Sequence, residues 1–485
     1  MRRHPVLILI LSYVGASLLA SYIFYLRLPQ GIDQANFYAE DSLYVMNILE
    51  KSFLASVFTP FNGYLIVGTY LVQGVGFSIN HLIFGGRVLY LPESIAIASY
   101  AFLGFSACLP MVLLRNILAK LAILGLILAT IFVPLPSMDY GIIGSTANLK
   151  FLFAYIAVLL IIYRHFLPLK SKKHYVIDSL LLICALTNIL CIFLLPVIIV
   201  RHIRFENGHR IFRAIRTESF ISLSILAILL IASILFLTLT SEIKPIGGIY
   251  DKPYQWSETI EIFVTRSYLF SYVYGIYGYL NNIISLIFMA FFIYVGFRIT
   301  EDRLRTPVFM LFVSVLIISA FTLVNRPGLS TLFGSYSSSG YDQYFYTQNI
   351  IALLIGSIII SGLLRKWPNY SLYIATVMPI VAVSQYGLID SVGRSNFMAE
   401  SRGTFISNAR KVCADSPNGK IYVPTYPQPP FVIYLESTKI CPDAVKSKDN
   451  TRLFSLGLQP SSDKIIFKPG TSDIFPRPLL LDNPI

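Results

Sequence analysis

Residues 33–64 read DQANFYAEDSLYVMNILEKSFLASVFTPFNGY and follow the first apolar run directly. The stretch brings together Asp33, the adjacent pair Glu40–Asp41, and the aromatics Phe37, Tyr38, Tyr44, Phe53, Phe58, Phe61 and Tyr64. Carboxylates set among rings beside a membrane-length helix suit a site at a bilayer face. Aromatic rings settle at the membrane interface and offer stacking surfaces. An acid within hydrogen-bond reach can take a proton from a hydroxyl. The plain alternative is a solvated acidic turn that keeps the loop out of the membrane.

The rest of the chain makes the membrane setting firm. Of 485 residues, 55% are hydrophobic and 13% charged, against about 25% charged in a soluble domain. Mean hydropathy is +0.68. Several apolar runs reach the roughly 20 residues that a helix needs to cross a bilayer. The composition predicts an all-α polytopic membrane protein. The formal charge of +13 does not point to nucleic acid, because the basic residues cluster between apolar spans, which is an orientation signal. Met1-Arg2-Arg3-His4 precedes a run from Pro5 to Leu26. That run is too long for a signal-peptide core and lacks a small-residue cleavage site. It is expected to act as a signal anchor with a cytoplasmic N-terminus.

The first span is predicted at about 5–26 and a first outer loop at 27–90. Residues 64–85, broken by Gly68, Gly74 and Gly76, are expected to stay on the outer side as an interfacial helix. Were they to cross, Arg164, His165, Lys170, Lys172, Lys173 and His174 would fall outside, against the positive-inside tendency. Spans are predicted at about 91–114, 117–134 and 149–163. Residues 176–200 are expected to form two short half-helices that turn at Thr187–Asn188. That keeps Arg201, Arg204, Arg210, Arg213 and Arg216 inside, and non-helical backbone at depth is tolerated where protein covers it. Spans at about 219–240, 272–297, 307–325, 348–364 and 371–389 complete a transmembrane domain over 1–389, with about nine full crossings plus one helical hairpin. Residues 390–485 are expected to form a small α/β domain outside the membrane. It would include β-like runs at Lys420–Val423 and Phe431–Leu435, and it places the C-terminus in the periplasm.

Other residues offer chemistry at the outer face. Asp33 and Tyr64 can bind substrate within the first loop. Asn148, in GSTANLK, can donate to a sugar hydroxyl or phosphate, or cap the span that follows. Lys150 can meet a phosphate or serve as an interfacial lysine. Arg326 ends a span, and a guanidinium can neutralise a phosphate through two parallel hydrogen bonds. Tyr341, Asp342, Gln343, Tyr344 and Tyr346 can line an acceptor groove or form an aromatic belt. The segment Glu242–Arg266 is expected to face out with Lys244, Asp251, Trp256, Glu258 and Arg266. Of the five cysteines, Cys108, Cys184 and Cys191 lie in apolar runs as packing residues. Cys413 and Cys441 lie in the tail, where an oxidising compartment permits a disulfide. There is no Ser/His/Asp set, no phosphate-cradling glycine motif, no dinucleotide fingerprint and no metal-ligand spacing of Cys and His. A soluble-type nucleotide-sugar site is not expected.

A first span, a long outer loop with adjacent acids, many further spans and an outer C-terminal domain resemble the GT-C class of polyprenyl-phosphate-dependent glycosyltransferases. FYAEDSLYVMNILEKSFLASVFTPFNGYL, residues 37–65, resembles the loop of bacterial members in which an aromatic precedes Glu-Asp and an aromatic followed by Asn or Ala, then Gly-Tyr, closes the segment. GSTANLKFLFAY, residues 144–155, resembles a second outer segment in which Asn-Leu opens a span. Size, topology and tail look most like the serotype-converting O-antigen glucosyltransferases carried by bacteriophages and their hosts. The resemblance implies a periplasmic, inverting transfer of glucose from undecaprenyl-phosphate glucose to an O-antigen sugar of lipopolysaccharide. The setting is the bacterial inner membrane and its lipids, beside a small flippase and a separate polyprenyl-phosphate glucosyltransferase. By the same carry-over Glu40 or Asp41 is the catalytic base. Many GT-C enzymes place an Asp first, whereas here Glu precedes Asp, so either acid can act. The class is often metal-assisted, which makes a divalent cation compatible, and no other cofactor is expected. Two alternatives stay open: a GT-C transferase of another sugar, such as aminoarabinose or mannose, to lipid or protein; and a non-enzymatic polysaccharide flippase or transporter. Transporters place ionisable groups within spans near the midplane, whereas these acids lie in outer loops and the spans read as nearly free of charge.

Overall fold

In lipid, backbone polar groups must be satisfied within the segment, so crossing elements are helices. The computed structural model follows that rule. It describes residues 4–33, 35–38, 40–61, 64–135, 142–200, 203–206, 209–212, 217–240, 252–332, 336, 342–370, 373, 404–415, 419–425 and 432–446. The main helices are α1 (His4–Arg27), α2 (Asp41–Lys51), α3 (Val67–Phe84), α4 (Leu91–Cys108), α5 (Lys120–Ile131), α6 (Lys150–Phe166), α7 (Lys173–Thr187), α8 (Glu218–Thr240), α9 (Asn282–Ile299), α10 (Asp302–Asn325), α11 (Tyr346–Lys366), α12 (Phe405–Asp415) and α13 (Ser437–Lys446). Two antiparallel pairs accompany them: β1 (Ile203–Glu206) with β2 (His209–Phe212), and β3 (Lys420–Pro424) with β4 (Val432–Glu436).

Among the described residues, six segments are long and apolar enough to cross a membrane: Leu7–Arg27, Val88–Leu113, Glu218–Leu239, Asn282–Ile299, Asp302–Asn325 and Tyr346–Lys366. The chain is an all-α polytopic membrane protein. Three expected crossings are not among the six. The 117–134 span forms α5 with only 12 residues, the 149–163 span forms α6 with 17, and the 371–389 span lies outside the described residues. The segment 117–133 that contains α5 is held at both ends. At its start the Ala119 amide donates to Ser361 Oγ (2.8 Å), and Arg365 Nη2 donates to Ile117 O (2.9 Å). At its far end Arg27 donates to Ile131 O (2.7 Å) and Val133 O (2.8 Å). We call the end near Arg27 the upper end and the end near Arg365 the lower.

Helices α1 and α4 lie side by side in opposite directions, since Tyr13 meets Phe105 while Tyr25 meets Tyr100. They approach at Gly104, where a Cβ would fall 2.4 Å from Ser17 O. Helix α3 turns into α4 as a hairpin, with Gly76 against Ile95 and Asn80 bonded to Ser94. It is not one of the six membrane-length segments.

The turn expected at Thr187–Asn188 is present. Asn188 accepts from the Leu190 amide (3.0 Å) and donates to Lys150 O (2.9 Å). The chain then returns through a 3₁₀ segment, Ile189–Leu194, and a helical turn, Leu195–Val200. Leu195 and Ile198 share a small apolar cavity with Leu181 of α7 and Ile161 of α6. At the lower end Arg164 grips Asp178 (2.6 and 2.8 Å) and Ser219 O (2.8 Å), binding α6, α7 and α8 together. The hairpin β1–β2, between the returning segment and α8, was not expected from the sequence.

Two expectations are corrected here. The segment Glu242–Arg266 is expected to face out, with a span starting near 272. Its last residues open instead a buried, wide-turn π-helix, Glu261–Leu269, and α9 starts only at Asn282. Arg266 is fully buried. Its Nε donates to Tyr277 Oη (2.8 Å), and its guanidinium lies 4.6 Å from the rings of Phe270 and Tyr277. Nor is the bundle free of charge, since Glu93, Arg164, Asp178, Glu261 and Arg266 are all buried.

In the tail, α12, the β3–β4 pair and α13 form a small α/β unit in which Cys413 and Cys441 are bonded. Its apolar side is continuous with the first loop and the α3–α4 turn: Phe405, Ile433 and Leu435 cluster with Phe37, Val45 and Leu89. The Phe405 amide donates to Ala35 O (2.9 Å), and the Phe37 and Phe405 rings meet edge to face at 5.0 Å.

Candidate functional site

Helix α2 begins at Asp41, where an acid is favoured by the helix dipole. No side chain caps this helix; Glu40 occupies the cap position. The Asp41 carboxylate reaches instead to the loop before α6. The Thr146 amide lies 3.2 Å from each of its oxygens, and the Thr146 hydroxyl donates to Oδ1. Gln73 of α3 donates from Nε2 to Thr146 Oγ1 (2.9 Å). The loop is itself held: Ser99 donates to Ser145 O (2.8 Å), and Gly144 adopts a left-handed φ of +75° against Tyr100. A Cβ at Gly144 would fall 2.7 Å from Tyr100 Oη. Asp41 is 2% exposed. Burial pushes its carboxyl up to about 6, partly offset by the hydrogen bonds from Thr146 and Ser145 and reinforced by the charge of Glu40.

Glu40 is half-buried, and its charge acts on Lys150. Lys150 Nζ donates to Tyr64 Oη (3.1 Å) and interacts electrostatically with Tyr344. The Tyr344 ring stands edge to face with Phe151 (6.1 Å) and carries the Arg326 guanidinium 4.7 Å from its centroid. Four separate stretches thus bring Glu40, Asp41, Tyr64, Lys150, Tyr344 and Arg326 into one chain of contacts at the upper end. Tyr44 forms the floor, fully buried, with Phe61 at 4.8 Å and Tyr70 at 5.8 Å. Burial and the nearby Glu40 charge push the Tyr44 phenol well above its ordinary range.

The other expected site residues are distributed differently. Asn148 is buried beside Thr146, but α6 has Leu149 at its cap position and no side-chain cap, which removes the capping alternative. Asp33 is exposed and accepts from Tyr25 Oη (3.3 Å); none of its described contacts joins it to Asp41. The aromatics of the first loop divide. Phe37 belongs to the tail cluster and Tyr38 to the bundle core, while Phe53 and Phe58 are exposed. Tyr346 is a core residue, 1% exposed, not a groove or belt residue. Trp256 is 80% exposed and packs on Tyr254. Tyr341, Lys244, Asp251 and the side chains of Asp342 and Gln343 lie outside the described residues.

Thr146 and Gln73 were not singled out by the sequence reading. Gln73 is one of several polar residues in α3, with Thr69, Ser78, Asn80 and His81, so nothing marked it out. Thr146 lay two residues before Asn148 in a segment already of interest. Among the described residues no group of three or more His, Cys, Asp or Glu gathers as metal ligands. Compared with protein-family models, with curated proteins and with solved structures, the chain matches none.

Proposed function

We propose that the upper-end site transfers a sugar, with inversion, from a polyprenyl phosphate to an acceptor hydroxyl. The reading taken furthest is glucose from undecaprenyl-phosphate glucose to an O-antigen sugar at the periplasmic face of the inner membrane. In one displacement the acceptor oxygen bonds to the anomeric carbon as the bond from that carbon to the phosphate oxygen breaks. Glu40 takes the acceptor proton, and the polyprenyl phosphate leaves with the bonding electrons. Lys150 and Arg326 offset the charge of the departing phosphate.

The observation that carries this is the opposition of charges: the Glu40 carboxylate acts electrostatically on Lys150, as does Tyr344, whose ring carries the Arg326 guanidinium. Of the two acids, Glu40 retains exposed surface while Asp41 is filled by Thr146. Glu40→Gln, inserted normally, is expected to lower glucose transfer by roughly two to four orders of magnitude, read by mass analysis of lipopolysaccharide. Undiminished transfer would remove the base role. The transfer of aminoarabinose or mannose by the same site calls for the same groups. A flippase would draw on the buried charges of the bundle, of which Glu93 of α4 alone among those named has a carboxylate oxygen with no described hydrogen bond. Arg164–Asp178, however, ties three helices at the lower end, and Arg266 is bonded to Tyr277, whose hydroxyl in turn bonds Glu261. These contacts describe struts.

A further inference from the structure

We propose that Gln73 and Thr146 are positioning residues that direct a hydroxyl proton onto Asp41, fixing this acid as an internal anchor and leaving Glu40 as the acid that meets ligand. This rests on the sugar-transfer reading only for the role of Glu40. The geometry of the anchor stands by itself.

A threonine hydroxyl has one proton and two lone pairs. Gln73 Nε2 donates to Thr146 Oγ1, and an amide N–H can only donate. One lone pair is thereby occupied, and the hydroxyl proton is turned toward Asp41 Oδ1. The Thr146 amide supplies a further donor to the same carboxylate. Gln73 and Thr146 are both fully buried, so water does not compete for these bonds. The three residues come from α2, α3 and the loop before α6, and among the described residues no backbone hydrogen bond joins these elements at this point.

The groups facing Asp41 can be named. Glu40 and Tyr44 lie on its own helix, Tyr64 and Tyr70 flank Tyr44, and Lys150 of α6 interacts electrostatically with Glu40. The tail meets α2 further along, where the Tyr434 amide points at Met46 Sδ (3.3 Å). The only donors described on Asp41 come from the Ser145–Thr146 corner. Without the Thr146 hydroxyl, ionised Asp41 loses its charge-assisted bond, and its protonation midpoint rises.

The test is an infrared titration of the full-length protein in lipid nanodiscs, with ¹³C-labelled aspartate and the Asp41 band assigned by Asp41→Asn. No donor or acceptor sugar is present. The unsubstituted protein is expected to titrate near 6. Thr146→Val should raise the midpoint by about one unit, Gln73→Leu should raise it less, and Thr146→Ser, which keeps both donors, should restore it. If the valine variant does not fold, Gln73→Leu and Gln73→Glu on intact Thr146 carry the test; the glutamate, by drawing the hydroxyl proton away, should raise the midpoint further than leucine. An unmoved midpoint in folded variants overturns the anchor, even in protein that transfers sugar. A moved midpoint supports it, even if no transfer is ever found.

Discussion

Asp41 is a carboxylate held where ionisation is costly, and that gives the fold a pH dependence. Its carboxyl is pushed from 3.8 up to about 6 by burial. A raised acid favours the folded state most when protonated. The contribution is therefore fully present below about pH 4, is lost as pH rises toward 6, and is flat above, a change on the order of 3 kcal/mol. Asp41→Asn should remove that slope. Thermal unfolding midpoints of both proteins between pH 4 and 7 check this, and parallel curves would contradict it. At this scale charged residues were readable in the sequence and neutral ones were not. Glu40 and Asp41 stand out as adjacent acids set among aromatic rings, and Arg326 as a guanidinium at the end of a span. Thr146 and Gln73 acquire their role only by meeting across 73 positions, and nothing in their own neighbourhoods announces that pairing.

Among the elements, the α1–α4 pair is the most exposed to a single change. Without a hydrophobic force between lipid-bathed helices, close packing through small residues supplies the attraction. Any side chain at Gly104 meets Ser17 and Ser21 of α1. Gly104→Leu should destabilise the protein by about 1–3 kcal/mol, visible as a lowered unfolding temperature in detergent. An unchanged temperature would mean that the helices part freely. The Thr187–Asn188 hairpin was legible because charge placement is a strong constraint: a full crossing would strand the basic segment after it. The π-helix at Glu261–Leu269 was not legible. Its apolar residues fit a wide turn as well as an ordinary one, and only the packing of Arg266 between Phe270 and Tyr277 distinguishes them. Helix α5 was overestimated because the flanking residues 117–119 and 132–134 are apolar, yet they are not helical.

For the molecule as a whole, composition and hydropathy were enough for the class, and local alternation was enough for β3 and β4. Where the tail docks was not readable, because no local pattern links Phe405 to Ala35 and Phe37. Phe405 is fully buried, so Phe405→Ala should cost about 3–5 kcal/mol. The expected sign is faster proteolysis of the tail, with the membrane helices still protected. Equal cleavage rates would show that the docking contributes little.

That docking also orders events during synthesis. The backing of α2, and with it the ground on which Glu40 and Asp41 stand, is assembled from segments 388 positions apart, as in the Tyr434–Met46 contact. Contacts of such separation form late. A nascent chain halted before Phe405 would carry every group of the candidate site and none of the tail surface packed against it, so α2 should be braced only once residues 405–446 have left the ribosome.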